Sequence, residues 1–145
     1  MSRITIEQIA CPACSVIADV RIYSSVNVSL DPELRELVLT NQVNSFLCVN
    51  CGQKTMVHGA LLYHDMTRRY AVWYMPAATE AEMRELADGL AQDDVISGDY
   101  LRHPRIEPDW MEFKNYILTN DQAIDEMSRS IEKRPGWLQR IFHRK

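Results

Sequence analysis

The four cysteines of the chain form two C-x-x-C pairs, Cys11 with Cys14 and Cys48 with Cys51. Such pairs are typical of a structural zinc site, in which four thiolates surround Zn²⁺ and leave no open position for a substrate. Gly52 supports this interpretation, because the residue that leaves such a turn often needs a positive φ. The sequence therefore predicts one structural zinc ion with all four cysteines as ligands. The 33 residues between the pairs exceed the roughly 15–20 of a compact zinc ribbon, which predicts an insertion.

Two other uses of paired cysteines compete with the metal. A thioredoxin-like redox couple should precede an amphipathic helix, and neither pair is followed by one. Disulfides are typical of secreted chains, and the first seven residues contain no apolar stretch long enough for a signal peptide. We therefore expect a metal-bound protein in a reducing compartment, the cytoplasm, and keep a thiol oxidoreductase as the less favoured alternative.

Composition indicates an ordinary globular protein with an uneven charge. The chain has 145 residues, 46% of them hydrophobic and 25% charged, with a net charge of −4. No apolar run approaches the roughly 18 residues of a transmembrane helix. Residues 132–145 carry five Lys or Arg against one Glu, so the remainder is clearly acidic. These features predict a single domain over residues 1–132 and a basic tail over residues 133–145, and the acidic body disfavours nucleic-acid binding.

Periodicity predicts mostly strands in the first half of the chain. Alternation favours strands over residues 3–10, 16–30, 41–47, 55–57, 59–63 and 69–75. A short helix over about residues 32–39 is predicted with Asp31 as its N-cap, inside the insertion between the cysteine pairs. The strands and the cysteine turns should together form one antiparallel sheet of four or five strands.

The second half has helical patterns. Thr79 and Glu82 form a capping box at the start of one helix. Residues 98–106 look extended, a helix should begin at Pro108-Asp109, and a further helix should cover residues 122–132. The predicted fold class is α+β: an antiparallel sheet built on a four-cysteine zinc ribbon with an inserted helix, followed by a helical C-terminal half.

Several motifs taken together resemble those of a known family. They are Cys-Pro-x-Cys at 11–14, the segment 26–34 with its Asp-Pro-Glu-Leu, the Phe-Leu-Cys-Val-Asn-Cys-Gly segment at 46–52, and Leu-Leu-Tyr-His-Asp at 61–65. Over about residues 4–75 the chain resembles the CpXC protein family, a bacterial and archaeal group named after its first cysteine motif. The resemblance implies a zinc-ribbon-like fold that carries these four cysteines, and it implies no particular activity.

Outside the cysteines, the pair His64-Asp65 is the main candidate for chemistry. A carboxylate next to an imidazole could orient it for base catalysis or metal binding. The competing interpretation is a hairpin-loop tip whose polar side chains cap the turn. No nucleophile motif, glycine-rich phosphate loop or H-E-x-x-H pattern accompanies the pair, so a non-enzyme is favoured without excluding an enzyme.

The basic tail combines an apolar face with a charged one. Its proposed contact residues are Trp137, Leu138, Arg140, Ile141, Phe142, Arg144 and Lys145. A short amphipathic helix of this kind can dock on the acidic body, bind a partner groove or lie on an anionic membrane surface. These three alternatives stay open at the level of the sequence.

The favoured function is a non-catalytic zinc-binding module that acts in protein interaction or regulation. The alternative is a nucleic-acid-binding zinc ribbon related to transcription. It rests on Arg68 and Arg69 beside Tyr70, Trp73 and Tyr74, which together offer cationic and stacking contacts.

Overall fold

The protein is a mixed α+β structure, described here from a computed structural model over residues 2–132. Its strands are β1 (Arg3–Ala10), β2 (Ile17–Asn27), β3 (Ser45–Leu47), β4 (Lys54–Met56), β5 (Leu61–Asp65), β6 (Tyr70–Tyr74) and β7 (Arg105–Glu107). Its helices are α1 (Glu33–Leu39), α2 (Glu80–Gln92), α3 (Asp99–Arg102) and α4 (Trp110–Glu132). The predicted α+β class and the helix between the two cysteine pairs are confirmed.

The main sheet has five strands in the order β1-β2-β5-β6-β7. The neighbours β1–β2 and β5–β6 are antiparallel hairpins, whereas β2–β5 and β6–β7 run parallel. The prediction of a purely antiparallel sheet is therefore wrong. The connection from β2 to β5 contains α1, β3 and β4, and the connection from β6 to β7 contains α2 and α3. Long connections of this kind allow the next strand to run in the same direction.

Strands β3 and β4 form a separate two-stranded sheet and do not extend the main one. The strand predicted over residues 41–47 is reduced to Ser45–Leu47. Asn41 and Asn44 have φ values of 58° and 51°, and a left-handed backbone cannot continue a strand. The β3–β4 hairpin consequently turns away from the main sheet and carries the second cysteine pair with it.

The sequence predicts capping side chains for two helices, α1 and α2, and the structure shows the second. Thr79 and Glu82 form the predicted capping box of α2, and the Asp109 carboxylate accepts from the first free N–H groups of α4. The prediction that Asp31 caps α1 is wrong. Pro32 occupies the cap position without a side-chain bond, and the Asp31 carboxylate instead accepts from Ser2 Oγ at 2.5 Å.

The C-terminal region differs from the prediction in two places. The segment predicted as extended contains helix α3 before the short strand β7. Helix α4 is continuous over 23 residues, whereas the sequence predicts two helices there. The polar residues at its middle do not end it, because the Asn120 amide donates to the backbone carbonyl of Tyr116 and the Asp121 carboxylate binds side chains of other elements.

Helix α4 packs on the sheet through large apolar side chains. Phe113 and Ile117 are fully buried against Tyr63 and Val72 of strands β5 and β6. Tyr63 and Phe113 meet edge to face with ring centroids 6.4 Å apart. Leu34 and Val38 of α1 belong to the same buried cluster, so the core lies where α4 and α1 meet the middle of the sheet.

Within residues 2–132, none of the helices is both long enough and apolar enough to cross a membrane. The predicted basic tail and its contact residues lie outside the described residues, so its three alternatives stay predictions.

Candidate metal centre

The four cysteine sulfurs converge on one point between two hairpins. Cys11 and Cys14 lie in the turn between β1 and β2, and Cys48 and Cys51 lie in the turn between β3 and β4. The Sγ atoms of Cys11 and Cys51 are 3.7 Å apart, those of Cys14 and Cys48 are 3.5 Å apart, and all four lie within 4.8 Å of one another. A tetrahedral ion with metal–sulfur bonds of about 2.3 Å requires sulfurs roughly 3.8 Å apart. The donor set therefore fits a tetrahedrally coordinated metal ion.

Both turns have the same backbone geometry. In the first turn the Cys11 N–H donates to the Val16 carbonyl, and the Ser15 N–H donates to the Cys11 carbonyl. In the second turn the Cys48 N–H donates to the Gln53 carbonyl, and the Gly52 N–H donates to the Cys48 carbonyl. The first cysteine of each pair is buried, at 1% and 2% exposure, and the second lies nearer the surface. Two equivalent turns thus present their sulfurs to one site from opposite sides.

The residue after each pair has a left-handed backbone. Gly52 has φ 72°, as the sequence predicts, and Ser15 holds the equivalent position with φ 61°. A residue with a side chain adopts this conformation at a cost of roughly 1–2 kcal/mol, which glycine avoids. Ser15 therefore carries backbone strain that its counterpart does not.

We expect Ser15→Gly to stabilise the metal-loaded protein by about 0.5–1 kcal/mol, because it removes this strain. Gly52→Ala is the matched opposite change. It should destabilise by about 1 kcal/mol, and a β-carbon at Gly52 would meet no atom within 4 Å, so only the backbone contributes. Denaturant unfolding with metal present measures both. A destabilising Ser15→Gly would show that the two turns are not equivalent.

The thiols have different tendencies to ionise. A hydrogen bond from the Asn50 side chain, with one from the Val16 backbone, lowers the pKa of Cys14 to about 6. The Gln53 backbone acts in the same direction on Cys51, but burial and the neighbouring sulfurs outweigh it and raise the pKa of Cys51 to about 12. Adjacent thiolates repel one another, and a bound divalent cation removes this repulsion. A bound divalent cation would therefore allow all four thiols to be deprotonated together.

Asn44 holds the two hairpins in their relative position. Its amide accepts from the Tyr23 N–H at 2.7 Å and donates to the Tyr23 carbonyl at 2.9 Å, so its side chain bonds the backbone of β2 as a neighbouring strand would. Its own carbonyl accepts from the Val57 N–H at 2.7 Å, just after β4. Asn44 is buried. It therefore ties the β3–β4 hairpin, with two of the cysteines, to the strand that follows the other two.

We expect Asn44→Ala to destabilise the protein by about 2–3 kcal/mol, because two backbone groups of Tyr23 lose their partner. Metal affinity should fall as well, since the hairpins lose their alignment. Asn44→Gly keeps the left-handed backbone and removes only the side chain, so it should cost about 1 kcal/mol less. Unfolding and metal titration measure both variants. Equal metal affinity in Asn44→Ala and the unsubstituted protein would exclude the alignment role.

His64 and Asp65 are not at a loop tip, as one interpretation predicted, but end strand β5. Neighbouring strand residues point to opposite faces, so the carboxylate does not orient the imidazole. Asp65 is buried and accepts from Ser29 Oγ and from the Arg68 backbone and guanidinium. Burial raises the pKa of Asp65, but the bonds from Arg68 and Ser29 outweigh it and lower the pKa overall. This arrangement is a structural ion pair.

His64 is half buried on the other face of the strand. Burial lowers its pKa, so the imidazole is neutral at physiological pH. Its Nδ1 has no hydrogen-bond partner among the described residues. The described residues therefore give His64 no orienting carboxylate.

The residues behind the nucleic-acid alternative are mostly unavailable for stacking. Tyr70 and Tyr74 are buried in the core, and Arg68 is bonded to Asp65 and Asp125. Arg69 is exposed, and Arg68 and Trp73 are half-buried, with the Arg68 guanidinium held by carboxylates. The nucleic-acid alternative stays a prediction, with Arg69 and Trp73 as the side chains that are neither buried nor held in an ion pair among the described residues.

Three residues of the site have no clear signal in the sequence. Asn44 bonds the backbone of β2, Asn50 forms a hydrogen bond with the Cys14 sulfur, and Ser15 has a left-handed backbone. Asparagine tolerates a positive φ and often bonds nearby backbone. An asparagine shortly before or inside a cysteine turn is therefore the one feature of the sequence that indicates such a role.

The fold and the site together define a mixed α+β protein with a four-cysteine cluster held between two hairpins. The chain belongs to the CpXC family, because the family model described as CpXC protein matches residues 9–132. This confirms the predicted resemblance and extends it into α4. No curated protein and no solved structure matches the chain.

Proposed function

We propose that the protein is a non-catalytic zinc-binding module that acts by binding other proteins. One structural Zn²⁺, with Cys11, Cys14, Cys48 and Cys51 as ligands, joins the β1–β2 hairpin to the β3–β4 hairpin in a zinc-ribbon arrangement. The observation that carries the proposal is the convergence of the four sulfurs within 4.8 Å from two equivalent turns.

The donor set supports zinc and a structural role. Four thiolates are soft ligands, and tetrahedral sulfur sites select zinc or iron over magnesium and calcium. When bound, the ion supplies a cross-link between segments that are far apart in sequence. Four protein ligands complete its coordination, so no position remains for a reacting water or substrate.

The surface beside the centre supports the binding role. Leu47 and Val49 flank Cys48 and are 66% and 95% exposed, and Ile17 at the start of β2 is 64% exposed. Apolar side chains that remain exposed on rigid turns are a common feature of protein-interaction surfaces. We place this activity in the cytoplasm, where thiols stay reduced and available to the metal.

The positions of the sulfurs give no support to a redox couple. The sulfur contacts of 3.5 and 3.7 Å both join cysteines of different pairs. A dithiol couple uses the two cysteines of one C-x-x-C motif, placed at a helix N-terminus that lowers the attacking thiol's pKa. Here both motifs lie in hairpin turns.

The proposal is tested by elemental analysis of the full chain purified under reducing conditions. We expect one zinc per chain, and Co²⁺ substitution should give the absorption bands of a tetrahedral thiolate site. The four thiols should react with a thiol reagent only after a chelator removes the metal. A metal-free protein, or thiols that oxidise while zinc is bound, would contradict the proposal. Bound iron would keep the closed site and exclude zinc as its metal.

A further inference from the structure

Strand β1 is an edge strand of the main sheet. It pairs with β2 on one side and is the last strand of the sheet on the other. Seven of its eight residues are exposed, including Ile4 at 45% and Ile6 at 74%. Edge strands of this length are usually shielded by a proline, a bulge or inward charges, because they otherwise pair with another chain. The regular part of β1, from Ile4 to Ala10, has no such shield among the described residues.

The backbone groups that β1 leaves unpaired can be assigned. Tyr23 lies opposite Ile4 in the β1–β2 register. Both its backbone N–H and its carbonyl bond Asn44, on the side away from β1. Ile4 and Tyr23 are therefore a non-hydrogen-bonded pair, and the N–H and carbonyl of Ile4 point outward. Because antiparallel pairs alternate, the same holds for Ile6 and Gln8.

The sequence of the exposed part of β1 is complementary to itself. When two copies run antiparallel with Thr5 opposite Thr5, Ile4 of one faces Ile6 of the other, and Arg3 faces Glu7. The facing isoleucines are the residues with outward backbone groups, so they also form the hydrogen-bonded pairs. Moving the register by two positions either way replaces the Arg–Glu pairs with neutral ones. When the register moves by four positions, the two copies of Arg3 or the two copies of Glu7 lie opposite each other, so that like charges meet.

We propose that β1 pairs with β1 of a second copy of this chain, antiparallel and centred on Thr5, so that the two sheets become one across a two-fold axis. The pairing covers Ile4 and Ile6 and gives Arg3 and Glu7 opposite-charge partners. Neither residue is in an ion pair within residues 2–132. A second copy of the chain would be one partner of the binding module, and this link alone rests on the proposed function.

Charge exchange across the two-fold axis tests the pairing. The unsubstituted full chain should have twice the mass of one chain in sedimentation and light scattering. Arg3→Glu and Glu7→Arg should each give a monomer, because each places like charges opposite one another. The double variant should dimerise again. A mixture of the two single variants should form a one-to-one heterodimer, which native mass spectrometry resolves by mass.

Ile6→Pro is a second test that spares the fold, since it removes an outward N–H that β2 does not use. It should give a folded monomer with unchanged circular dichroism. A monomeric unsubstituted chain would overturn the proposal. So would a dimer that all of these variants leave intact. If the full chain is monomeric and deletion of residues 133–145 makes it dimerise, the tail covers β1 and the proposal fails.

Every variant keeps the four cysteines, so metal content reports separately on the proposed zinc site. A zinc-loaded monomer would overturn the pairing alone. A dimer without metal would overturn the zinc site alone.

Discussion

Replacing Cys51 by serine is expected to abolish stoichiometric metal binding and to unfold the two cysteine turns. A serine hydroxyl cannot replace a thiolate at a tetrahedral zinc site, and structural zinc contributes roughly 10–16 kcal/mol of apparent binding free energy that is coupled to folding. The effect should include loss of the alignment between the β1–β2 and β3–β4 hairpins. Elemental analysis and hydrogen exchange of the turn amides measure it in the full chain.

Cys51 is the most informative of the four cysteines because its side chain is exposed. If the cysteines only packed as small apolar residues, a surface Cys→Ser change would alter stability by no more than about 0.5 kcal/mol. A metal ligand gives the large effect whether it is buried or exposed, so Cys51→Ser and Cys48→Ser should behave alike. Val49→Ser, at a 95% exposed position in the same turn, is the matched control and should keep the metal. A folded, zinc-loaded Cys51→Ser protein would exclude Cys51 as a ligand.

The four-cysteine cluster could be predicted from the sequence because each half of it depends on local geometry. A C-x-x-C pair forms a tight turn by itself, and the glycine after the second pair marks the left-handed residue that leaves it. The equivalent residue of the first turn, Ser15, does not indicate a left-handed backbone, because serine has no preference for a positive φ. What brings the turns together is less local. The contacts between Asn44 and Tyr23 join residues 21 positions apart, and periodicity carries no information about such contacts.

Strand positions were predicted better than strand partners, for a related reason. Alternation identifies β2, β5 and β6 from their own residues. The parallel pairing of β2 with β5 depends on the whole intervening segment, since α1 and the β3–β4 hairpin must cross over the sheet first. The sequence divides α4 in two because Asn120 and Asp121 are poor helix formers. Both side chains find partners, that of Asp121 in α1 and β6, and the helix continues.

Asp121 is the centre of a buried charge cluster. Its carboxylate accepts from Arg35 Nε of α1 at 2.7 Å and from the Tyr70 hydroxyl of β6 at 2.8 Å. Arg68 Nε, in the turn between β5 and β6, lies 3.8 Å away. Burial raises the pKa of Tyr70, so its hydroxyl stays protonated and donates to the carboxylate. One side chain of α4 thus connects the helix to three other parts of the fold.

We expect Asp121→Ala to destabilise the protein by about 3–5 kcal/mol, because it leaves two partly buried guanidinium groups and a buried hydroxyl without their common acceptor. Asp125→Ala is the matched control on the same helix. Asp125 is 49% exposed at its side chain and bonds Arg68 at 3.3 Å, so its loss should cost about 0–1 kcal/mol. Denaturant unfolding with zinc in excess separates this effect from metal loss. Equal destabilisation by the two variants would show that burial of the Asp121 cluster has no bearing on its contribution. A small effect of both would mean that α4 is held to the sheet by Phe113 and Ile117 and their apolar neighbours alone.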